Sequence, residues 1–352
     1  MSAPHRTLRT PAELAAAGLV DPTALPSLNA VGARYAVAVT PEMAGLIDRG
    51  RDDDPIGRQF LPDPRELELA PTERADPIGD RVHEKLPGLI HRYPDRVLLK
   101  LTHVCPVYCR FCFRREVVGP GGETMLSSET FEAAVRYVSE RAEIREVILT
   151  GGDPLMLAPR RIGEVTARLG AIGHVDILRW HSRVPVVAPS RVTNELADAL
   201  RHEAKAVYIG IHCNHPRELT DAAQQAIARL RDSRLNLVSQ TVLLKGVNDD
   251  AVTLETLFRS FVRLGIRPYY LHQADLAPGT AHFRTTIAEG QALMRHLRGR
   301  VSGLALPTYI LDVPGGYGKV PVGPDYHDSG SGRVSDVHGG AHAYPPDGEE
   351  EE

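Results

Sequence analysis

Apolar and polar positions divide the chain into three stretches of different rhythm. Up to about residue 90, short helical windows (PAELAAAGL, TPEMAGLIDRG) give way to a run dense in proline and charge from Arg51 through Pro87, the pattern of an N-terminal arm. From Arg96 to about Val313, short apolar runs alternate with amphipathic windows. RVLLKLT, EVILT, DILRW, AVYIGI, LNLVSQTVLL, PYYLH and PTYILDV read as strands. Between them SSETFEAAVRYVSERA and TNELADALRHEA read as helices, the first opening with serines suited to an N-cap. Strand and helix in regular alternation predict an α/β fold with a parallel sheet or barrel. From about Asp325 the chain turns to Gly, His and Pro and closes in EEEE, which predicts disorder. The expected division is an arm over 1–90, a partial (β/α)6 barrel over 91–321 and a disordered acidic tail over 322–352.

Composition narrows the function without revealing it. With 352 residues, 42% hydrophobic and 24% charged, the chain can bury a large core as one domain with an appendage. A net charge of -4 argues against a nucleic-acid surface. No apolar stretch reaches the length of a membrane span, and MSAPHRTLRTPAELAAAG lacks the apolar core of a signal peptide. Four cysteines, three of them clustered, suit a reducing cytoplasm better than a disulfide framework.

The clustered three, Cys105, Cys109 and Cys112, lie within eight residues directly after the first strand of the alternating region. Intervals of three residues and then two wrap three thiolates around one inorganic centre and leave a fourth position without a protein ligand. Iron–sulfur clusters require thiolates, and a cubane held by three of them keeps one iron open to a small molecule. A zinc knuckle is the competing reading, but zinc asks for a closed set of four and no second pair lies nearby. Cys213 is left over and reads as a small buried apolar residue.

Other polar and glycine-rich segments also follow strands, where a barrel of parallel strands carries its active-site loops. Gly151-Gly152-Asp153-Pro154 follows the second strand and His181-Ser182-Arg183 the third. His212-Cys213-Asn214-His215 follows the fourth, Gln240 lies late in the fifth, and Asp275 follows the sixth. His212 and His215 have a metal-like interval, but they sit in a loop beside proline rather than on one helix face. Near the end, Asp312-Val-Pro-Gly-Gly-Tyr-Gly-Lys319 presents a lysine on a glycine-bearing loop, where an amine can reach a carbonyl and form a Schiff base. Taken alone, the segment also reads as a turn with a solvated lysine.

The cysteine triad resembles the signature of the radical S-adenosylmethionine (SAM) enzymes, in which SAM chelates the open iron. Phe111 then stands where that superfamily carries an aromatic residue near the adenine, and Gly151, Gly152 and Asp153 resemble the segment that meets SAM's methionine amino group. Ser182, His212 and Gln240 are the candidates for its carboxylate, ribose or adenine. Over about residues 50 to 321 the resemblance sharpens to the lysine 2,3-aminomutase family, carried by DPIGRQF, PGLIHRYPDRVLL, LTGGDPLM, HSRVPVVAPSRVT, YYLHQADLAPGTAHFR and DVPGGYGK. It implies a pyridoxal 5'-phosphate (PLP) coenzyme bonded to Lys319, with Arg92, Tyr93 and Arg96 around it.

The resemblance further implies an isomerase in which a 5'-deoxyadenosyl radical takes hydrogen from C3 of an amino acid while PLP carries the migrating nitrogen. Arg114 matches the family residue that pairs the substrate α-carboxylate, and Asp275 and Asp312 match the two acids that receive the distal ammonium of lysine. Two carboxylates facing one cation favour lysine, with arginine the nearest competitor, and oppose glutamate. A low-potential electron donor of flavodoxin or ferredoxin type is implied as a partner, and a homo-oligomer is left open. The chain departs from larger family members in its cysteine-free C-terminal region, which argues against their structural zinc and the tetramer associated with it. His272 stands where lysine 2,3-aminomutases often carry tyrosine; histidine also occurs in the branch that serves elongation factor P, although that branch lacks the DVPGG segment. A degenerate member that binds cluster or PLP without catalysis is the reading from a different class, opposed by the intact triad, Lys319 and both aspartates.

Overall fold

A computed structural model describes residues 4–119 and 125–346. Ten strands form one sheet in which neighbours in space are neighbours in sequence: β1 (Glu84–Leu86), β2 (Leu89–Tyr93), β3 (Arg96–Thr102), β4 (Glu146–Gly151), β5 (Ile177–Ser182), β6 (Ala206–His212), β7 (Asn236–Leu243), β8 (Arg267–Gln273), β9 (Thr308–Val313) and β10 (Gly318–Pro321). From β3 to β9 all pairings are parallel. The six-stranded α/β unit expected from the alternation is thus present as β3–β8. β9 extends it in the same sense, and the antiparallel hairpins β1–β2–β3 and β9–β10 flank it.

Four short helices form the arm: α1 (Pro11–Ala16), α2 (Leu25–Arg34), α3 (Pro41–Leu46) and α4 (Pro55–Phe60). α1, α3 and α4 begin at proline behind an N-cap side chain, Thr10, Thr40 and Asp54 respectively. The crossovers are α5 (Ser128–Ser139), α6 (Pro159–Gly170), α7 (Val184–Val187), α8 (Asn194–Leu200), α9 (Asp221–Asp232) and α10 (Ala251–Arg263), with α11 (Ile287–Leu297) after β8. In α5 the Ser127 hydroxyl accepts from Thr130 N at 3.1 Å, and Phe131, Ala134, Val135 and Val138 bury one helical face. The opposite face stays polar, which fixes the side of the helix that meets the sheet.

The arm shares the barrel's core, since Leu14, Val39, Met43, Ile56 and Phe60 lie in the same buried cluster as Leu99, Leu149 and Trp180. A boundary at residue 90 therefore falls inside β2 rather than between units. Charge fastens the arm to the cysteine loop as well. Glu66, fully buried, accepts from Arg110 Nε at 3.0 Å and Nη2 at 2.6 Å, and pairs closely with Arg115 Nη2. The second arginine of the FRR run is thus an internal tie. The tail differs from expectation too: His327–Asp328, Arg333–Ser335 and Ala341–Ala343 form a three-stranded antiparallel sheet, β11–β13, of mostly exposed residues. Polar turns rather than apolar alternation hold it, so the pattern that reads strands elsewhere is silent there. The acidic end of the expected tail, from 347, lies outside the described residues.

Replacing Glu66 by alanine leaves two buried guanidinium groups without their anion and should cost about 3–5 kcal/mol. Removing Arg65, which pairs with Asp63 at the surface, should cost about 1 kcal/mol or less. Urea unfolding of the two variants checks the contrast.

Candidate active site

The loops after the parallel strands meet at one end of the sheet because all seven strands point the same way. Gly151, with φ of +125°, leaves no room for a side chain: a Cβ would lie 2.2 Å from the Thr102 carbonyl oxygen. A Cβ on Gly152 would lie 2.5 Å from the Val104 carbonyl oxygen. Gly152 N donates to Thr102 O at 2.5 Å and Asp153 N to Val104 O at 2.9 Å. The glycine turn therefore lies directly against the backbone that leads into Cys105. The Asp153 carboxylate accepts from Ser182 Oγ at 2.8 Å, Arg183 N at 2.7 Å, Leu155 N at 3.0 Å and Val184 N at 3.1 Å. Burial pushes its pKa up against these four donors. Asp153 and Ser182 thus spend their polar atoms tying the end of β4 to the end of β5.

The cysteine loop is held from both sides. Tyr108 N donates to Ala38 O at 3.2 Å and Arg110 N to Gln59 O at 2.9 Å, both in the arm. Burial raises the pKa of all three thiols, that of Cys112 to about 11, and the neighbouring thiol charges add to the rise at Cys105 and Cys112. A metal centre is the partner that brings such groups to thiolate. Among the described residues no three His, Cys, Asp or Glu side chains gather closely enough for a single ion. A cubane is held differently, by thiolates bound to separate irons, and three thiols on one loop lining a cavity fit that donor set.

At the opposite side of the same space, β2 faces β9 and β10 across the opening of the sheet. Lys319 N donates to Tyr93 Oη at 2.7 Å, and Lys319 Nζ is in close contact with Asp312. Arg92 donates to Asp312 at 2.9 Å, to Ile78 O at 2.7 Å and to Asp80 at 3.3 Å. Arg114 donates to the other oxygen of Asp80 at 3.1 Å and to Thr150 Oγ1 at 3.3 Å. Arg96 stacks on the Tyr93 ring with its guanidinium carbon 3.8 Å from the centroid, and bonds Asp95 at 2.7 Å. Burial, and then the charge of Asp312, push the Asp275 carboxyl up to about 7. His272 is driven down to about 3 by burial and by the Lys319 charge, which keeps its imidazole neutral. Among the described residues Arg114 Nε and His272 Nε2, both buried, find no hydrogen-bond partner.

One cavity of ≈ 300 Å³ is lined by the three cysteines and Phe111, the glycine turn with Asp153, Ser182, His212 and Gln240, then Arg92, Tyr93, Arg96, Arg114, Asp275, Asp312 and Lys319. Two expectations shift in detail. Arg92 is surrounded by two carboxylates and a carbonyl, which makes it the support of Asp312 rather than an open phosphate donor. His215 caps the turn at Pro216, its ring accepting from Arg217 N at 3.2 Å, whereas His212 enters the cavity and bonds Asn214 at 3.2 Å. Cys213 is fully buried, as its isolation suggested. Sequence reasoning missed Asp80, which holds Arg92 and Arg114 together, because it lies in the proline-rich stretch and its partners are far along the chain. Arg183 was passed over as well, although it directly follows Ser182 in a motif already noticed; its guanidinium reaches Cys109 Sγ at 2.7 Å.

A fold with its polar loops at one end, a three-thiol loop and a glycine turn packed against it define an enzyme of the radical SAM class, and residues 99–257 match the Radical SAM superfamily. Residues 294–335 match the family described as Lysine-2,3-aminomutase. The L-lysine 2,3-aminomutase of Fusobacterium nucleatum is 40% identical over 290 residues, 82% of this chain and 68% of the relative. That of Clostridium subterminale is also 40% identical over 290 residues, 82% of this chain and 69% of the relative. The glutamate 2,3-aminomutase of Clostridioides difficile is 36% identical over 299 residues, 85% of this chain and 70% of the relative. The chain belongs to the lysine 2,3-aminomutase family. It is an isomerase that acts on a small molecule, and its cofactors are a 4Fe–4S cluster, SAM and PLP. Among the described residues no helix is long and apolar enough to cross a membrane.

Gly152→Ala should displace the turn from the chain before Cys105, costing about 1–3 kcal/mol by overpacking and lowering the iron held after anaerobic reconstitution. Gly173→Ala, where a Cβ meets nothing within 4 Å, is the control and should keep wild-type iron content.

Proposed function

We propose that this protein converts L-lysine to β-lysine, and the observation that carries the reading is that Asp275 and Asp312 both line the cavity shared by Lys319 and the cysteine loop. When bound, the cofactors supply a 5'-deoxyadenosyl radical that takes hydrogen from C3 and a carbonyl carbon that holds the migrating nitrogen. The chain's own residues hold and orient. Cys105, Cys109 and Cys112 hold the cluster, and the backbone of Gly151 and Gly152, with Phe111, His212 and Gln240, surrounds SAM. Asp153 and Ser182 set the position of that backbone. Lys319 bonds the coenzyme, with Tyr93 and Arg96 beside it, the latter suited to a phosphate.

Arg114 receives the substrate α-carboxylate and, fixed by Asp80 and Thr150, orients the amino acid along the cavity. Asp275 and Asp312 receive the distal ammonium. The ion pair between Lys319 Nζ and Asp312 supports that reading, since lysine's distal amine has the same chemistry. A substrate carboxylate there would bring a further negative charge to a place where the charge of Asp312 already opposes ionisation of Asp275, which disfavours glutamate. The electron comes from a low-potential donor of flavodoxin or ferredoxin type in a reducing compartment such as the cytoplasm, and the chain works alone or as a homo-oligomer.

Anaerobic incubation of the reconstituted protein with single amino acids, read by chromatography, tests the reading: lysine should turn over best, ahead of arginine and glutamate. A higher kcat/KM on either competitor would refute the substrate assignment. Borohydride treatment of the PLP-loaded protein followed by mass spectrometry should find the adduct on Lys319. An adduct on Lys100, Lys205 or Lys245 would refute the coenzyme site, and loss of Lys319 should end turnover while sparing iron.

Asp275→Asn or Asp312→Asn should each lower kcat/KM for lysine by about 2 kcal/mol, or tens of fold, through one lost charge-assisted bond. The pH profile separates the two. Asp275 is uncharged below about 7 and charged above it, so kcat/KM should fall as pH drops through that value. Asp275→Asn should abolish the limb.

A further inference from the structure

The Arg183 guanidinium is almost completely buried and all its terminal nitrogens are committed. Nη1 donates to Cys109 Sγ at 2.7 Å, and Nη2 donates to Gln59 Oε1 at 2.6 Å and to Glu218 Oε2 at 2.7 Å. Its carbon stands 4.6 Å from the centroid of Phe60 and 5.4 Å from that of Phe111, so water has little access to either side. Glu218, fully buried, is itself held: its Oε1 accepts from Asn214 N at 3.0 Å, His215 N at 2.9 Å and Gln59 Nε2 at 3.2 Å. Among the described residues no comparable charged donor bonds Cys105 or Cys112. A fixed cation therefore addresses one corner of the three-thiol loop in direct contact with its sulfur.

We propose that Arg183 tunes the reduction potential of the cluster through Cys109, and that Glu218 sets how far. The inference rests on the cysteine triad holding the cluster. One-electron reduction, by an external low-potential donor, adds one negative charge to the cluster and moves no proton, because guanidinium stays protonated throughout. A cation bonded to a ligating sulfur stabilises the more negative, reduced form and raises the potential, since hydrogen bonds to the sulfurs and local charge are what the protein uses to set it. Glu218 opposes part of that effect by placing an anion on the far side of the same guanidinium. Arg183 acts through another residue and is a positioning residue, not a catalytic one.

The test is an EPR-monitored redox titration of the anaerobically reconstituted full chain, without SAM, with iron content measured on each sample. Arg183→Gln with Glu218→Gln replaces the ion pair by an uncharged pair of similar shape. At a fixed poise it should lower the ratio of reduced to oxidised cluster at least about tenfold, or about 59 mV for a one-electron couple. Glu218→Gln alone leaves the cation unopposed and should shift the potential the other way. Arg183→Lys keeps one charged donor and should fall between the wild type and the double variant. Purely structural damage would not produce opposite signs from the single and double variants. A double variant with full iron and the wild-type potential, or a Glu218→Gln shift in the same direction as the double variant, overturns the inference. A wild-type chain that binds no iron overturns the cluster reading beneath it.

Discussion

The two edges of this sheet face each other without a ladder, and most of the chemistry depends on what spans that opening. β2 and β10 belong to antiparallel hairpins at opposite ends of a seven-strand parallel array, and side chains, not strand pairing, join them. Arg92 on β2 holds Asp312 on β9, and Tyr93 accepts from the backbone of Lys319 on β10. A fully closed barrel would fill its interior with apolar layers. Stopping short leaves a space with a largely apolar wall, into which a lysine from one edge and arginines from the other can point.

Desolvation then gives that space its character. Aspartates and histidines removed from water shift toward their neutral forms, which is why Asp275 titrates near neutrality and His272 stays uncharged. The arginines of the same region have fixed partners: Arg183 with Glu218, Arg114 with Asp80, and Arg92 with Asp312 and Asp80. Each arginine is thereby stiffened before any ligand arrives, and preorganised donors are worth more in a dry site than mobile ones.

Much of this was legible in the sequence because strand polarity converts order along the chain into position in space. Seven apolar runs, each followed by a polar or glycine-rich segment, place all those segments on one rim whatever the detailed register. The three thiols could be read from spacing, and Lys319, Arg114 and the aspartate pair came from the resemblance. What stayed hidden are contacts between residues far apart in sequence with no local signature. Asp80 reaches Arg114 across 34 residues, Arg183 reaches Gln59 across 124, and Glu66 ties down Arg110 from within a stretch that reads as a loose arm. The short sheet of β11–β13 was hidden for the opposite reason: its residues are polar and exposed, and alternation reports burial rather than strand conformation.

The contact between Lys319 and Asp312 carries a consequence for the order in which the protein is assembled. A side-chain amine tethered beside a carboxylate has an effective concentration far above that of any free amino acid, so a dissolved ammonium competes poorly for Asp312 while Lys319 is free. Covalent capture of the Lys319 amine removes that internal competitor. On the proposed reading, the pocket for the distal ammonium is therefore closed by the protein itself until the coenzyme is in place, and a chain lacking coenzyme is spared idle occupation by free amino acid.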